Sequence, residues 1–252
     1  MKSSTTYTPS LPKSLLFIGS PGSGKTTFAL QLPKVYLIDC DDNLGGPVRH
    51  LSLTKKPDFL YDSPFTDATG KPLPRELQFN RVIDLIDEAV KLPDVETIVI
   101  DSLSSLIEMM FSHVLKCQNK TIAKDFKTVD KKFEYEDWAA FGNLLRRLIF
   151  ELKASGKRFI ITAHIKVEQD ELTKSLYKFI NCPGQTANYL SGWFEEAWEF
   201  YIHTSGMPPN EKATRKIRTV PDARSQPLGL KSAAGFAATM DADATTILAK
   251  LS

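Results

Sequence analysis

The sequence predicts an α/β fold with a mostly parallel central sheet flanked by helices and a strand-rich C-terminal end. Three observations predict it. Leu15-Leu16-Phe17-Ile18 is a short apolar run that passes through a glycine-rich turn into a helix opening at Thr26. Further apolar runs, around Tyr36-Leu37-Ile38, Ile98-Val99-Ile100 and Phe159-Ile160-Ile161, alternate with stretches of helical spacing. Unbroken apolar runs of this kind mark parallel strands covered on both faces.

Taken in order, residues 1–13 are polar, carry Pro9 and Pro12, and read as a flexible or docking arm ahead of one domain spanning 14–252. A strand over 15–18, the glycine turn and a helix over 26–32 come next, then a strand over 35–39 that runs into Asp39, Asp41 and Asp42. The five prolines between Gly45 and Pro74 predict mostly loop, with a short strand at 59–61. Leu77, Val82, Ile83, Leu85, Ile86 and Val90 follow helical spacing over 76–91. The strand 97–100 ends in Asp101, and a helix over 103–116 leads to a lysine-rich stretch reaching Phe133. An amphipathic helix over 135–154 closes at Gly156, and a strand over 158–163 ends at His164. A polar segment, 166–188, precedes a strand over 194–203, its partner over 214–220 and a short closing helix within 242–251.

Size and composition bound the function. At 252 residues the chain can bury a substantial core, as one large domain or two small ones. A net charge of +2 leaves any nucleic-acid contact to a local patch. Cys40, Cys117 and Cys182 are scattered, which argues against a disulfide framework or a zinc site and suits a reducing compartment. No run approaches a membrane span and the N-terminus lacks a signal-peptide core, so the expected location is the cytoplasm, with no membrane contact.

Gly19-Ser20-Pro21-Gly22-Ser23-Gly24-Lys25-Thr26 matches G-x-x-x-x-G-K-[ST] in the strand–turn–helix setting that the pattern requires. Glycines let main-chain N–H groups turn inward as a concave anion site, and the helix start, with Thr27, adds further unpaired N–H groups. Lys25 is expected to reach the β- and γ-phosphates of a nucleoside triphosphate, and Thr26 to complete the shell of Mg²⁺. Asp101, at the end of its strand, is the second acid expected at the metal, unless it serves only to cap the next helix. Asp41 or Asp42 could orient the attacking water, and Asp41 is the choice; the alternative is a solvated turn. His164 could sense the γ-phosphate and pass its presence to the following loop, or be satisfied in the core. Lys116, Lys120, Lys124, Lys127, Lys131 and Lys132 lie among Phe133, Tyr135 and Trp138, the mixture of charge and rings that holds single-stranded nucleic acid, although such a run can equally be a solvated face. Lys174 and Lys178, beside Tyr177 and Phe179, repeat that signal more weakly.

With these residues in hand, the chain resembles the RecA-like recombination ATPases, and among them the short phage RecA-core proteins grouped with single-strand annealing proteins. The resemblance spans about residues 14–225 and rests on the Gly19–Thr26 loop, Leu37–Asp41, Ile98–Ser102 and Phe159–His164. It implies a RecA-like P-loop NTPase core, ATP with Mg²⁺, and hydrolysis assisted at the position of Asp41, where the family carries a glutamate one methylene longer. It implies a γ-phosphate sensor at His164, where the family usually has glutamine, and DNA-binding loops at about 116–136 and 165–188. It also implies a basic residue supplied by a neighbouring copy, for which Arg224 or Lys231 is nearest by position. The partners it implies are single-stranded DNA, further copies of the chain and a single-strand-binding protein. A small-molecule or nucleoside kinase, an AAA+-type replication motor with a helical lid after the last core strand, and a nucleotide switch with little turnover are the alternatives.

Overall fold

A computed structural model describes residues 12–52, 58–123, 130–206 and 210–249. β1 (Ser14–Gly19) is buried along its whole length and sits inside a sheet ordered β11-β9-β8-β1-β5-β4-β2-β3. Here β2 is Val35–Asp39, β3 Leu60–Asp62, β4 Thr97–Asp101, β5 Arg158–Ala163, β8 Glu196–Ser205, β9 Lys212–Arg218 and β11 Thr239–Asp241. From β3 to β8 every pairing is parallel; β9 joins β8 antiparallel, and β10 (Lys231–Ser232) pairs with the start of β8.

Strand alternation sends Leu16 and Ile18 to one face and Leu15 and Phe17 to the other. The first face is covered by α3 (Arg75–Lys91), α4 (Leu103–Cys117) and α5 (Tyr135–Ala154), through Val82, Leu85, Leu106, Met110, Leu145 and Leu148. The second carries α1 (Lys25–Ala29), α2 (Gly45–Ser52) and α7 (Ala244–Ala249), around Phe17, Phe28, Trp198 and Phe200. Phe17 stacks on Trp198 at 5.5 Å, and Phe28 meets Phe200 edge-on at 5.3 Å. Burial on both faces explains why β1, β2 and β4 read as unbroken apolar runs.

Three expectations are corrected. Residues 45–52 form helix α2 instead of loop: Pro47 falls in its first turn, where a missing N–H breaks no helical bond, and Leu51 inserts into the core beside α1. The polar segment after His164 is a hairpin, β6 (Ile165–Gln169) against β7 (Leu176–Ile180), before α6 (Thr186–Tyr189). The Asp170 carboxylate closes its turn by accepting from the Leu172 and Thr173 N–H groups, with Lys174 at φ 56°. The helix after the glycine turn is also shorter than expected, ending at Ala29. Pro12 and Lys13 are docked: the Lys13 N–H donates to Glu195 at 2.5 Å and its ammonium to the Gly156 carbonyl at 3.0 Å.

The sheet order positions the site. The chain leaves β1 for β2 and β3 on one side, returns through β4 and β5, and passes to β8 on the other. β1, between β5 and β8, is therefore where the winding reverses, and the crevice beyond its C-terminal end is where such sheets bind ligands.

Candidate nucleotide site

At the end of β1 the chain turns through Gly19–Gly24. A side chain at Gly19 would lie 2.3 Å from the Phe200 carbonyl oxygen, so β8 packs against the bare backbone there. Gly22 and Gly24 take φ of 75° and 100°, left-handed values that turn successive N–H groups to one side as a concave anion site. Because α1 has five residues, this nest and not a long helix dipole supplies most of the pull on an anion. The loop borders a cavity of about 610 Å³ lined by Pro21, Lys25, Thr27, Asn43, His50 and Arg215 among others, with Asp41, Asp101 and His164 also in its wall.

Lys25 is buried, and its ammonium donates to the Gly19 and Ser20 carbonyls at 2.9 and 3.1 Å. Burial lowers its pKa to about 8 against the opposing pull of Asp101 and Asp41. Asp101 accepts from the Thr26 hydroxyl at 2.6 Å and from the Thr162 hydroxyl on its other oxygen. Burial pushes its carboxyl upward while those two hydroxyls hold it down. The Asp101–Ser102 peptide is cis. Ser102 stands at the N-cap of α4, yet its hydroxyl donates to Asp41 at 2.9 Å instead of capping the helix. Asp41 is thereby held in the cavity wall, whereas Asp42 is exposed at φ 51° and does not line it. The buried Asp39 carboxylate accepts from the Asp41 and Asn43 N–H groups and so shapes this turn; burial raises its pKa to about 6.

His164 is half-buried between β5 and β6, with its pKa lowered by burial first and Lys25 second. Its Nδ1 has no hydrogen-bond partner among the described residues, and its carbonyl accepts from the Asn181 N–H at 2.8 Å, closing the base of the β6–β7 hairpin. The residues fit a magnesium-bound triphosphate: the nest and the desolvated Lys25 suit phosphate, and Thr26 with Asp101 offers the two oxygen donors that Mg²⁺ takes beside phosphate oxygens. The Ser23 hydroxyl, buried with no partner among the described residues, is a further polar atom of that loop.

The expected DNA-contacting lysines have mixed placements. Lys116, Lys131 and Lys132 are exposed, and Lys174 is exposed on the hairpin turn. Lys120 is bound to Asp137 at 2.6 Å and to Glu134 at 2.9 Å, and Lys178 is paired with the buried Glu199. Lys124 and Lys127 lie outside the described residues. The two segments meet: Trp138 packs with Phe111 and Phe133, and lies 4.0 Å from where a side chain at Gly184 would stand. Arg224 is exposed beside β7, its carbonyl accepting from the Lys178 N–H. Lys231 stands opposite Ala197, toward the end of β8 that lies away from the glycine loop. Arg215, which the sequence reading did not single out, is at the loop itself; only the β8–β9 register reveals it.

A parallel sheet with a phosphate nest after its buried strand β1, and an acid from β4, one strand beyond β5, bonded to the loop threonine, defines a P-loop ATPase. The family model described as the AAA domain matches residues 11–223, and the chain belongs to that family. No curated protein matches it. After β9 the described residues hold short strands, a 3-10 turn and the six-residue α7, with no helical lid among them.

Proposed function

We propose that the protein is a Mg²⁺-dependent ATPase that binds single-stranded DNA and supports recombination or strand annealing of the phage type. The observation that carries the nucleotide half is the Thr26–Asp101 bond beside a buried Lys25. Lys25 grips the β- and γ-phosphates, Thr26 and Asp101 hold Mg²⁺, and Asp41 orients a water toward the γ-phosphate from its seat on Ser102. Bound there, Mg²⁺ would supply charge neutralisation at the phosphoryl oxygens. His164 lies between this site and the hairpin, so a contact with the γ-phosphate would bias the hairpin's base through the Asn181 bond.

The DNA half is supported by charge and rings. Lys116, Lys131, Lys132 and Lys174 are exposed, and so are Tyr135 (90%) and, in part, Trp138 (40%), charges and rings of the kind that hold single-stranded nucleic acid. The deciding experiment measures hydrolysis with and without single-stranded DNA, with Lys25→Ala as control. Expected are a loss of turnover in the variant, stimulation by DNA in the wild type, and a salt slope of DNA affinity near −3 if about four phosphates are neutralised. Phosphate transfer to a nucleoside or sugar without DNA stimulation would establish a kinase instead. DNA binding indifferent to salt would remove the DNA half.

A further inference from the structure

We infer that Arg215 is a second cation for the polyphosphate, supplied by the same chain as the glycine loop. The inference rests on the nucleotide reading of this site and adds to it a residue of a different strand.

The register places it. Ile217 pairs with Phe200, and both lie in the core on the α1 face of the sheet. Two residues earlier on β9, Arg215 projects to the same face, opposite Ile202, just beyond the end of the core. Phe200 itself pairs with Gly19, the first residue of the loop. The stem of Arg215 consequently crosses Gly24: a side chain built there would lie 2.7 Å from its Cδ and 3.2 Å from its Nε.

The charge of Arg215 is available. On the opposite face of β9, Lys216 is paired with Asp241 at 2.9 Å, and Arg218 with Glu199 and Asp222 at 2.9 and 2.7 Å. Arg215 has no ion pair among the described residues and lines the same cavity as Lys25, Thr26 and Thr27. Its presence also balances that cavity. Lys25 alone faces the carboxylates of Asp41 and Asp101, a net negative wall that would repel a magnesium-bound triphosphate; Arg215 brings the fixed charges to neutrality. A planar guanidinium with several donors suits phosphate oxygens better than a second ammonium would. A cation contributed from within the chain differs from one borrowed from a neighbouring copy, because it acts at any protein concentration.

The test titrates fluorescently labelled ATP with Mg²⁺ into full-length wild type, Arg215→Ala, Arg215→Gln and Lys25→Ala, alongside thermal melts without nucleotide. The glutamine variant keeps the stem over Gly24 and decides the matter if the alanine variant melts early. Expected is a loss of affinity of about tenfold in both Arg215 variants, the worth of one charged hydrogen-bonding contact. A mixture of Arg215→Ala and Lys25→Ala chains should regain no turnover. Wild-type affinity in Arg215→Gln, with affinity lost in Lys25→Ala, overturns the inference and leaves the nucleotide reading standing. Restored turnover in the mixture overturns the same-chain assignment. Wild-type affinity in Lys25→Ala overturns the nucleotide reading and this inference with it.

Discussion

Lys25 and Lys120 each sit near two carboxylates, and the protein treats their charges in opposite ways. Lys120 binds Asp137 and Glu134 directly, and those hydrogen bonds raise its pKa. Lys25 feels Asp101 and Asp41 only at a distance, its ammonium being held by the Gly19 and Ser20 carbonyls, and burial lowers its pKa to about 8. The carbonyls satisfy its hydrogens without neutralising it. A desolvated cation without an anion in contact is a binding site for one, whereas a lysine already seated on two carboxylates has little left for a ligand.

The most damaging way to break the contrast is to remove the acid that works with Lys25. Asp101→Asn keeps an oxygen for one of the Thr26 and Thr162 hydroxyls, turns an amide NH₂ to the other, which can accept from it, and gives up the charge expected to hold Mg²⁺. Turnover should fall by about a hundredfold or more, the scale of losing one charged partner at a reacting phosphate. Affinity for nucleotide in the presence of a chelator should be retained, since Lys25 then faces one carboxylate fewer. Steady-state hydrolysis and a metal-free titration separate the two effects.

The Lys25 pKa itself gives a sharper test. Nucleotide affinity should be flat up to about pH 8 and then fall, approaching tenfold per pH unit, as the ammonium loses its proton. Stability of the nucleotide-free protein should move the other way. Its folded pKa lies below the ordinary 10.5, so between the two values the unfolded chain binds more protons, and this group's contribution to stability rises with pH. Lys25→Met should lack both trends when melts and titrations at pH 7.5 and 9.5 are compared with wild type.

The sequence made the nucleotide end legible because its chemistry is local. Glycines, Lys25 and Thr26 are consecutive, and Asp101 and His164 end apolar runs that parallel strands must place side by side. The two acids Asp41 and Asp42 are adjacent in sequence, and the structure has Asp41 in the cavity wall and Asp42 exposed outside it. What stayed hidden depends on pairing across long separations. Four cations crowd Lys212–Arg218, and only the register of β9 on β8 tells that Arg215 meets the loop while Arg218 is taken by Glu199. Helix α2 was masked by Pro47, since a proline in a first turn and one in a loop look alike until Leu51 is known to be buried. In the same way, a lysine-rich segment reads as uniformly basic until its ion pairs are seen.

That last point yields the smallest effect and the finest discrimination. If Lys120 is structural, Lys120→Met strands the Asp137 carboxylate, which is fully buried and has one oxygen already without a partner among the described residues. The Glu134 N–H would remain to it, and the pair it forms with that residue at the start of α5 would lose its cation. The melting temperature should drop by several degrees while affinity for single-stranded DNA changes little. Lys116→Gln with Lys132→Gln removes two exposed charges that have no ion pair among the described residues. That double variant should melt like wild type, and its log–log salt slope for DNA binding should be shallower by about 1.4, the share of two phosphates on a single strand. A larger loss of DNA affinity in Lys120→Met than in the double variant would show that the buried pair opens to DNA, and the contrast between the two lysines would then hold only for the protein without it.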